Sequence, residues 1–195
     1  MKTITKILLF TLTALLVLAG CTKGPSPNLC PTVCDGLVAY YPFTGNADDS
    51  GPRNKAGIAH NTSNDFDRWN KSKNAYYFNG TDAYVEAKSY KGQSDSDARA
   101  VSTWILAEPG SGGTLIAWGK NGNTFEINLA AGVLQVVADG ATREGTTDLA
   151  DDEWHHVLVS IPEGGSLDDA TIQVDGSPES TTPNGDTDET LNTDS

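Results

Sequence analysis

The sequence predicts an all-β fold, a sandwich or barrel of short antiparallel strands, and three observations carry that expectation. Runs rich in β-branched and aromatic residues recur at 37–43, 75–78, 83–87, 100–107, 114–118, 124–129, 133–138, 153–161 and 171–174, each of strand length. Between them stand the turn pairs Asn79-Gly80, Asn121-Gly122, Ala131-Gly132, Asp139-Gly140 and Asp175-Gly176, the last two suited to type I′ hairpins because positive φ is cheap there. No segment shows a helical apolar stripe of comparable strength.

In chain order, the N-terminus is the first element to justify. Lys2 and Lys6 precede an apolar run over residues 7–19 broken only by two Thr, the charged head and short apolar middle of a secretory signal. Leu18-Ala19-Gly20-Cys21 resembles the lipobox of bacterial lipoproteins, which implies cleavage before Cys21 and diacylation of its sulfur. Residues 1–20 are thus expected to be removed, and Cys21 to carry the lipid. Several acyl chains, each CH₂ contributing roughly 0.8 kcal/mol, hold a protein durably at a bilayer. Thr22 and Lys23 replace the Asp that retains such proteins in the inner membrane, so the expected address is the cell envelope, at the outer membrane.

Residues 21–35 form a tether, with Pro25, Pro27 and Pro31 among small polar residues. Once Cys21 is lipidated, two of the three cysteines remain. Cys30 and Cys34 lie four apart around Pro31, and in an exported protein a local disulfide is favoured over two free thiols. Zinc would need further ligands that no other cysteine supplies.

The domain is expected over residues 36–195. The stretches 46–73 and 89–98 are polar and read as surface loops. Three of the four tryptophans, Trp104, Trp118 and Trp154, stand within apolar runs where large rings usually fill the space between sheets. Alternation along 154–161 places Trp154, His156 and Leu158 on one face and His155, Val157 and Val159 on the other, so both histidines read as strand residues rather than ligands.

Charge excludes one class of partner. Lys and Arg total 13 against 26 Asp and Glu, a net charge of −13 that becomes −15 once residues 1–20, with two Lys and no acid, are gone. No phosphate backbone is held by such a chain. Apolar residues at 37% and 20 Gly fit one turn-rich domain rather than a disordered acidic polymer.

Six blocks in order resemble laminin-G-like domains of the concanavalin A-like lectin/glucanase superfamily: Gly36-Leu37-Val38-Ala39-Tyr40-Tyr41-Pro42-Phe43 with Gly45 to Gly51, Tyr77-Phe78-Asn79-Gly80 through Val85, Val101-Ser102-Thr103-Trp104-Ile105, Leu115-Ile116-Ala117-Trp118-Gly119, Trp154-His155-His156-Val157, and Ile172-Gln173-Val174-Asp175-Gly176. The resemblance implies a two-sheet antiparallel jelly-roll sandwich. It also implies a closing strand after Gly176, which the acidic, apolar-poor residues 177–195 do not match. The domain is therefore expected to lack its C-terminal closing strand, as a fragment or truncated copy, and residues 22–195 to be unstable or to self-associate.

Hydrolases of that superfamily carry carboxylates at alternate positions of one strand. Here the nearest frame, Glu126-Ile127-Asn128-Leu129-Ala130, keeps one carboxylate, so no enzyme is expected. A non-catalytic lectin-like module for a glycan or a cell-envelope protein is the preferred function. A structural or adhesive spacer is the alternative, and a glycoside hydrolase relative the third. Ca²⁺ is a possible cofactor, through rim acids such as Asp139, Asp148, Asp151 and Asp152. Loop aromatics Trp69 and Tyr90 are the candidates for stacking on a sugar.

Overall fold

The structure is a computed structural model that describes residues 36–88, 90–120 and 122–193, together with the backbone of residues 5–8. Cys21, Cys30, Cys34 and the tether lie outside the described residues.

Among the described residues fourteen strands form in chain order: Thr5–Leu8 (β1), Ile58–His60 (β2), Ser63–Phe66 (β3), Ser72–Phe78 (β4), Tyr84–Glu86 (β5), Arg99–Ala107 (β6), Gly113–Lys120 (β7), Asn123–Ala130 (β8), Val133–Ala138 (β9), Ala141–Glu144 (β10), Trp154–Ile161 (β11), Thr171–Val174 (β12), Ser177–Pro178 (β13) and Thr182–Asn184 (β14). A seven-stranded sheet has the order β13-β12-β11-β6-β1-β4-β3, and a five-stranded sheet the order β14-β10-β9-β8-β7. Strands β2 and β5 pair separately. Every pairing is antiparallel, so the architecture is an all-β, two-sheet jelly-roll sandwich.

The turns explain the meander. Ala131-Gly132, Asp139-Gly140 and Asp175-Gly176 all have positive φ at both residues, the type I′ geometry whose twist matches that of the flanking strands. Strands β8, β9 and β10 are thereby stitched edge to edge.

Period-two alternation then fills the interior. Phe125, Ile127 and Leu129 from β8 and Leu134, Val136 and Ala138 from β9 meet Ile105 and Ala107 from β6 and Val157, Val159 and Ile161 from β11 in one buried cluster. A second cluster gathers Phe43, Ala47, Ala75 and Tyr76 with Tyr41, Phe78, Val85, Trp104 and Trp154. Only Trp118 of the three strand tryptophans packs against the intersheet core, at 4.6 Å from Phe125. Trp104 and Trp154 point outward instead, because their neighbours Ile105 and Val157 take the inward positions.

Several expectations are corrected. Residues 37–43 form no strand. Tyr40 donates its amide to the Asp49 carboxylate at 2.7 Å, Pro42 has no amide to give a ladder, and Phe43 reverses the chain at φ 50°. The Asp49 carboxylate also accepts from Gly51 at 2.7 Å and Lys55 at 2.5 Å, so it organises the cover over the second cluster. Residues 46–73 are not wholly loop, since they hold β2 and β3.

Residues beyond Gly176 are not structureless either. They supply β13 and β14, bury Leu191 in the core, and bury Thr193 completely. The position between β4 and β6 is occupied by β1.

Candidate functional site

Asp67 closes a five-residue turn between β3 and β4. Its buried carboxylate accepts from the amides of Trp69 and Lys71, each at 2.9 Å, and from Asn74 Nδ2 at 3.1 Å. The backbone seals the same turn through Asp67 N to Lys71 O at 3.1 Å and Asn70 N to Asp67 O at 2.8 Å, with Asn70 at φ 59°. Burial alone would raise the Asp67 pKa, but these donors and the Arg68 charge hold it below the usual carboxylate value.

This turn aims two consecutive side chains at the outer face of the seven-stranded sheet. The Arg68 guanidinium carbon lies 3.5 Å from the Trp69 ring centroid and 4.3 Å from that of Trp104. Trp104 in turn meets His156 at 5.3 Å, its register partner on β11. The result is a stack of indole, guanidinium, indole and imidazole. At its outer end Trp69 is 64% exposed, its indole resting on the Arg68 cation. Cation–π contacts of this kind contribute about 0.5–2 kcal/mol, more as water is excluded.

The inner end of the stack is fixed. His156 Nε2 lies 2.8 Å from Ser102 Oγ, and burial lowers its pKa, Arg68 adding to that effect against the opposing charge of Asp175. A neutral imidazole beside a guanidinium avoids placing two cations together. His155 differs, with Nδ1 2.8 Å from Asp175 Oδ2 and Nε2 3.1 Å from Asp151 Oδ1. Burial opposes its charge, yet those two carboxylates raise its pKa above the ordinary value. Both histidines serve their strands, and Asp175 ties β11 to the hairpin turn by also accepting from His156 N at 2.8 Å.

Asp67→Ala is expected to cost about 2–3 kcal/mol, the range for leaving charge-assisted partners unsatisfied, and to release Trp69 from the stack. A lowered urea midpoint together with quenching of Trp69 by iodide would show both effects; an unchanged midpoint would refute the role given to the turn.

A second exposed aromatic group was not foreseen. Register pairs His60 with Tyr84 and Ile58 with Glu86, which places all four on one face of the β2–β5 ribbon. The His60 and Tyr84 rings lie 4.4 Å apart at 15°, and Tyr84 and Ile58 are 51% and 44% exposed. The alternation in Ile58-Ala59-His60 and Tyr84-Val85-Glu86 was its only trace in the sequence.

Tyr90, the other loop aromatic singled out, is half-buried and donates its hydroxyl to Gln93 Oε1 at 3.0 Å. It folds back on the sandwich. The acids expected to share a rim do not share one: Asp148 stands beside Gly132 at the start of β9, whereas Asp139 follows the end of that strand. Asp148 caps Ala150 N at 3.0 Å and Asp151 caps Glu153 N at 3.0 Å. Among the described residues no group of three or more His, Cys, Asp or Glu is arranged to hold a metal ion. Glu126 hydrogen-bonds Asn128 Nδ2 at 3.3 Å, and its register neighbours are Ala117 and Val137.

Comparison with known proteins agrees with this geometry. Residues 109–195 match the family model described as Laminin G domain, covering β7 to β14. No curated protein and no solved structure matches the chain. The match and the two-sheet architecture together support a laminin-G, concanavalin-like fold, one suited to a binding or adhesive module.

Proposed function

We propose that this chain is a lipid-anchored, non-catalytic lectin-like module of the cell envelope that binds a glycan on the exposed face of Trp69. One observation carries the reading: the solvent-facing indole is backed by a guanidinium and by Trp104 on a rigid strand. A largely exposed aromatic plane held in place by a cation fits the apolar face of a sugar ring, with little ordering cost on binding. Stacking needs no charge from the ligand, which suits a domain whose acidity repels anions. The single carboxylate of the β8 frame supports a binding rather than a hydrolytic role.

Trp69→Ala is expected to weaken glycan binding at least tenfold, about 1.4 kcal/mol, and to lower the melting temperature by only a few degrees, the loss of its contact with Arg68. Detergent-extracted wild-type and variant proteins on a glycan array measure the first, and thermal denaturation the second. Equal binding by the two would overturn the platform. Absence of any glycan signal, with capture of an envelope protein instead, would move the reading to a protein partner.

The anchor has its own test. Labelled fatty acid is expected to enter the wild-type chain and to be absent from Cys21→Ser, which should also leave the membrane pellet. A Ser variant that still sediments with membranes places the anchor elsewhere.

A further inference from the structure

His156 and Arg68 share one indole. The Trp104 ring centroid lies 5.3 Å from that of His156 and 4.3 Å from the Arg68 guanidinium carbon, which in turn lies 3.5 Å from the Trp69 ring centroid. Arg68 thus links the exposed Trp69 to the strand residue Trp104. A neutral imidazole permits that arrangement. An imidazolium competes with it, because two cations then meet at one ring in a half-buried stack, where like charges repel more strongly than in water.

The surroundings give such a charge little relief. Ser102 Oγ, 2.8 Å from His156 Nε2, accepts from a protonated ring nitrogen as well as it donates to a bare one, so it holds the imidazole in place in either state. At the turn between β12 and β13 the Asp175 carboxylate is already engaged by the His155 ring and by the His156 backbone amide, each at 2.8 Å. In the turn between β3 and β4, Asp67 spends its carboxylate on the Trp69 and Lys71 amides and on Asn74. Tyr40 beside Arg68, and Tyr41 and Tyr76 in the cluster with Trp104, stay neutral because burial raises the pKa of each. On β11 itself, His155 turns to the opposite face, where Asp175 and Asp151 take its ring nitrogens. Arg68, half-buried on a long flexible stem, is the member of the stack able to leave.

We propose that His156 is an acid-sensitive release switch: its protonation drives Arg68 off Trp104, frees Trp69 from its fixed orientation and, with Trp69 as the glycan platform on which this inference rests, lowers glycan affinity. The direction follows from the charges. Burial lowers the His156 pKa, Asp175 opposing and Arg68 adding to the effect. The stack therefore contributes fully above the ordinary imidazole value of about 6.5 and loses its contribution as pH falls through the lowered one. His155 runs the other way, since the contribution of its raised pKa is present in acid and lost as pH rises through that value. Acid thus tightens the contacts of one histidine with the turn while it loosens the stack built on its neighbour.

The test follows His156 and Trp69 together in detergent-extracted protein between roughly pH 7.5 and 5. Imidazole NMR signals, assigned through His155→Gln and His156→Gln, give each titration. Quenching by acrylamide, a neutral probe, taken as the difference between wild type and Trp69→Phe, gives the exposure of Trp69. In wild type, Trp69 quenching is expected to rise in acid with the same midpoint as the His156 titration, below about 6.5. His156→Gln, which offers Ser102 an uncharged partner, should show no rise, and His155→Gln should keep it. Arg68→Gln should raise the His156 midpoint by roughly half a pH unit or more. Flat quenching in wild type, midpoints that differ, an equal rise in His156→Gln, or an unmoved midpoint in Arg68→Gln would each overturn the switch. Glycan-array binding at both ends of the range separates the two readings, with about tenfold weaker binding expected in acid. No glycan signal at either pH sinks the platform reading, and the ligand-free quenching still decides the switch. Equal binding at both ends, with the platform reading intact, refutes the switch.

Discussion

Arg99→Ala is expected to lower the unfolding free energy by about 3–4 kcal/mol, a large share of the 5–15 kcal/mol typical of a domain. Arg99 is only 4% exposed. Its guanidinium donates to Asp95 O and Thr193 Oγ1, each at 2.7 Å, and its Nε to Asp97 O at 3.1 Å. It also lies 5.4 Å from the Phe125 ring centroid. Burial lowers its pKa, and the acids Asp97 and Asp139 offset part of that cost. Truncation leaves a buried hydroxyl and two carbonyls without their donor and opens a cavity next to the intersheet core. Arg99→Met fills the volume but restores no donor, so it should recover only part of the loss. Urea midpoints at constant m-value measure the series. An Ala variant within 1 kcal/mol of wild type would show that the guanidinium does not hold the C-terminal residues in place.

Gly92→Ala is expected to cost about 3 kcal/mol or more, from two sources that add. The residue has φ +94°, which strains any side chain, and a Cβ there would fall 2.0 Å from Trp118 Cγ and 2.1 Å from Cδ1. Trp118 cannot step aside cheaply, since its Nε1 donates to Gln93 O at 3.1 Å and its ring lies against Phe125. Gly110 isolates the first source, having φ +76° with nothing within 4 Å. Gly110→Ala should therefore cost about 1–2 kcal/mol. Comparable losses at the two sites, measured by thermal melting with tryptophan fluorescence, would refute the steric contribution at Gly92.

The strands that could be read from the sequence are those whose apolar residues alternate against a buried partner, as in Val133–Ala138 and Thr171–Val174, each found at the bounds expected. The dipeptides Asp139-Gly140 and Asp175-Gly176 also behave as their chemistry requires. Strands β3 and β14 escaped notice because Ser63-Asn64-Asp65-Phe66 and Thr182-Pro183-Asn184 lie at sheet edges and are mostly exposed, so burial left no pattern. Residues 37–43 misled for the opposite reason. Tyr40 and Phe43 are buried and Tyr41 partly so, but as irregular chain packed on its neighbours rather than as a ladder.

The candidate site was legible to the extent of one residue. Trp69 stands out as an aromatic in a polar loop, but its partners do not. In the run Thr103-Trp104-Ile105 both faces of the strand are filled, and period-two reading cannot say which face is the interior. Only pairing with β11 sends Trp104 outward to His156 and Arg68. The Asp67 carboxylate, which directs Trp69, looks in the sequence like one acid among 26.

The edges of the two sheets bear on how the molecule behaves at high concentration. Among the described residues, β13 and β14 end their sheets with two and three residues and each contains a proline, Pro178 and Pro183. A proline offers no amide, so neither edge templates another chain. At the far end of the larger sheet, β3 is four residues long and irregular in register between Asp65 and Phe66, a further barrier to stacking. That leaves β7, eight residues with Leu115, Ile116 and Trp118, as the long outer strand of the smaller sheet. Its defences are a register shift between Thr114 and Ile116 and a terminal Lys120. Fibril or oligomer growth, where the domain undergoes it, should accordingly start along β7, and a charge placed at Ala117 would delay its onset.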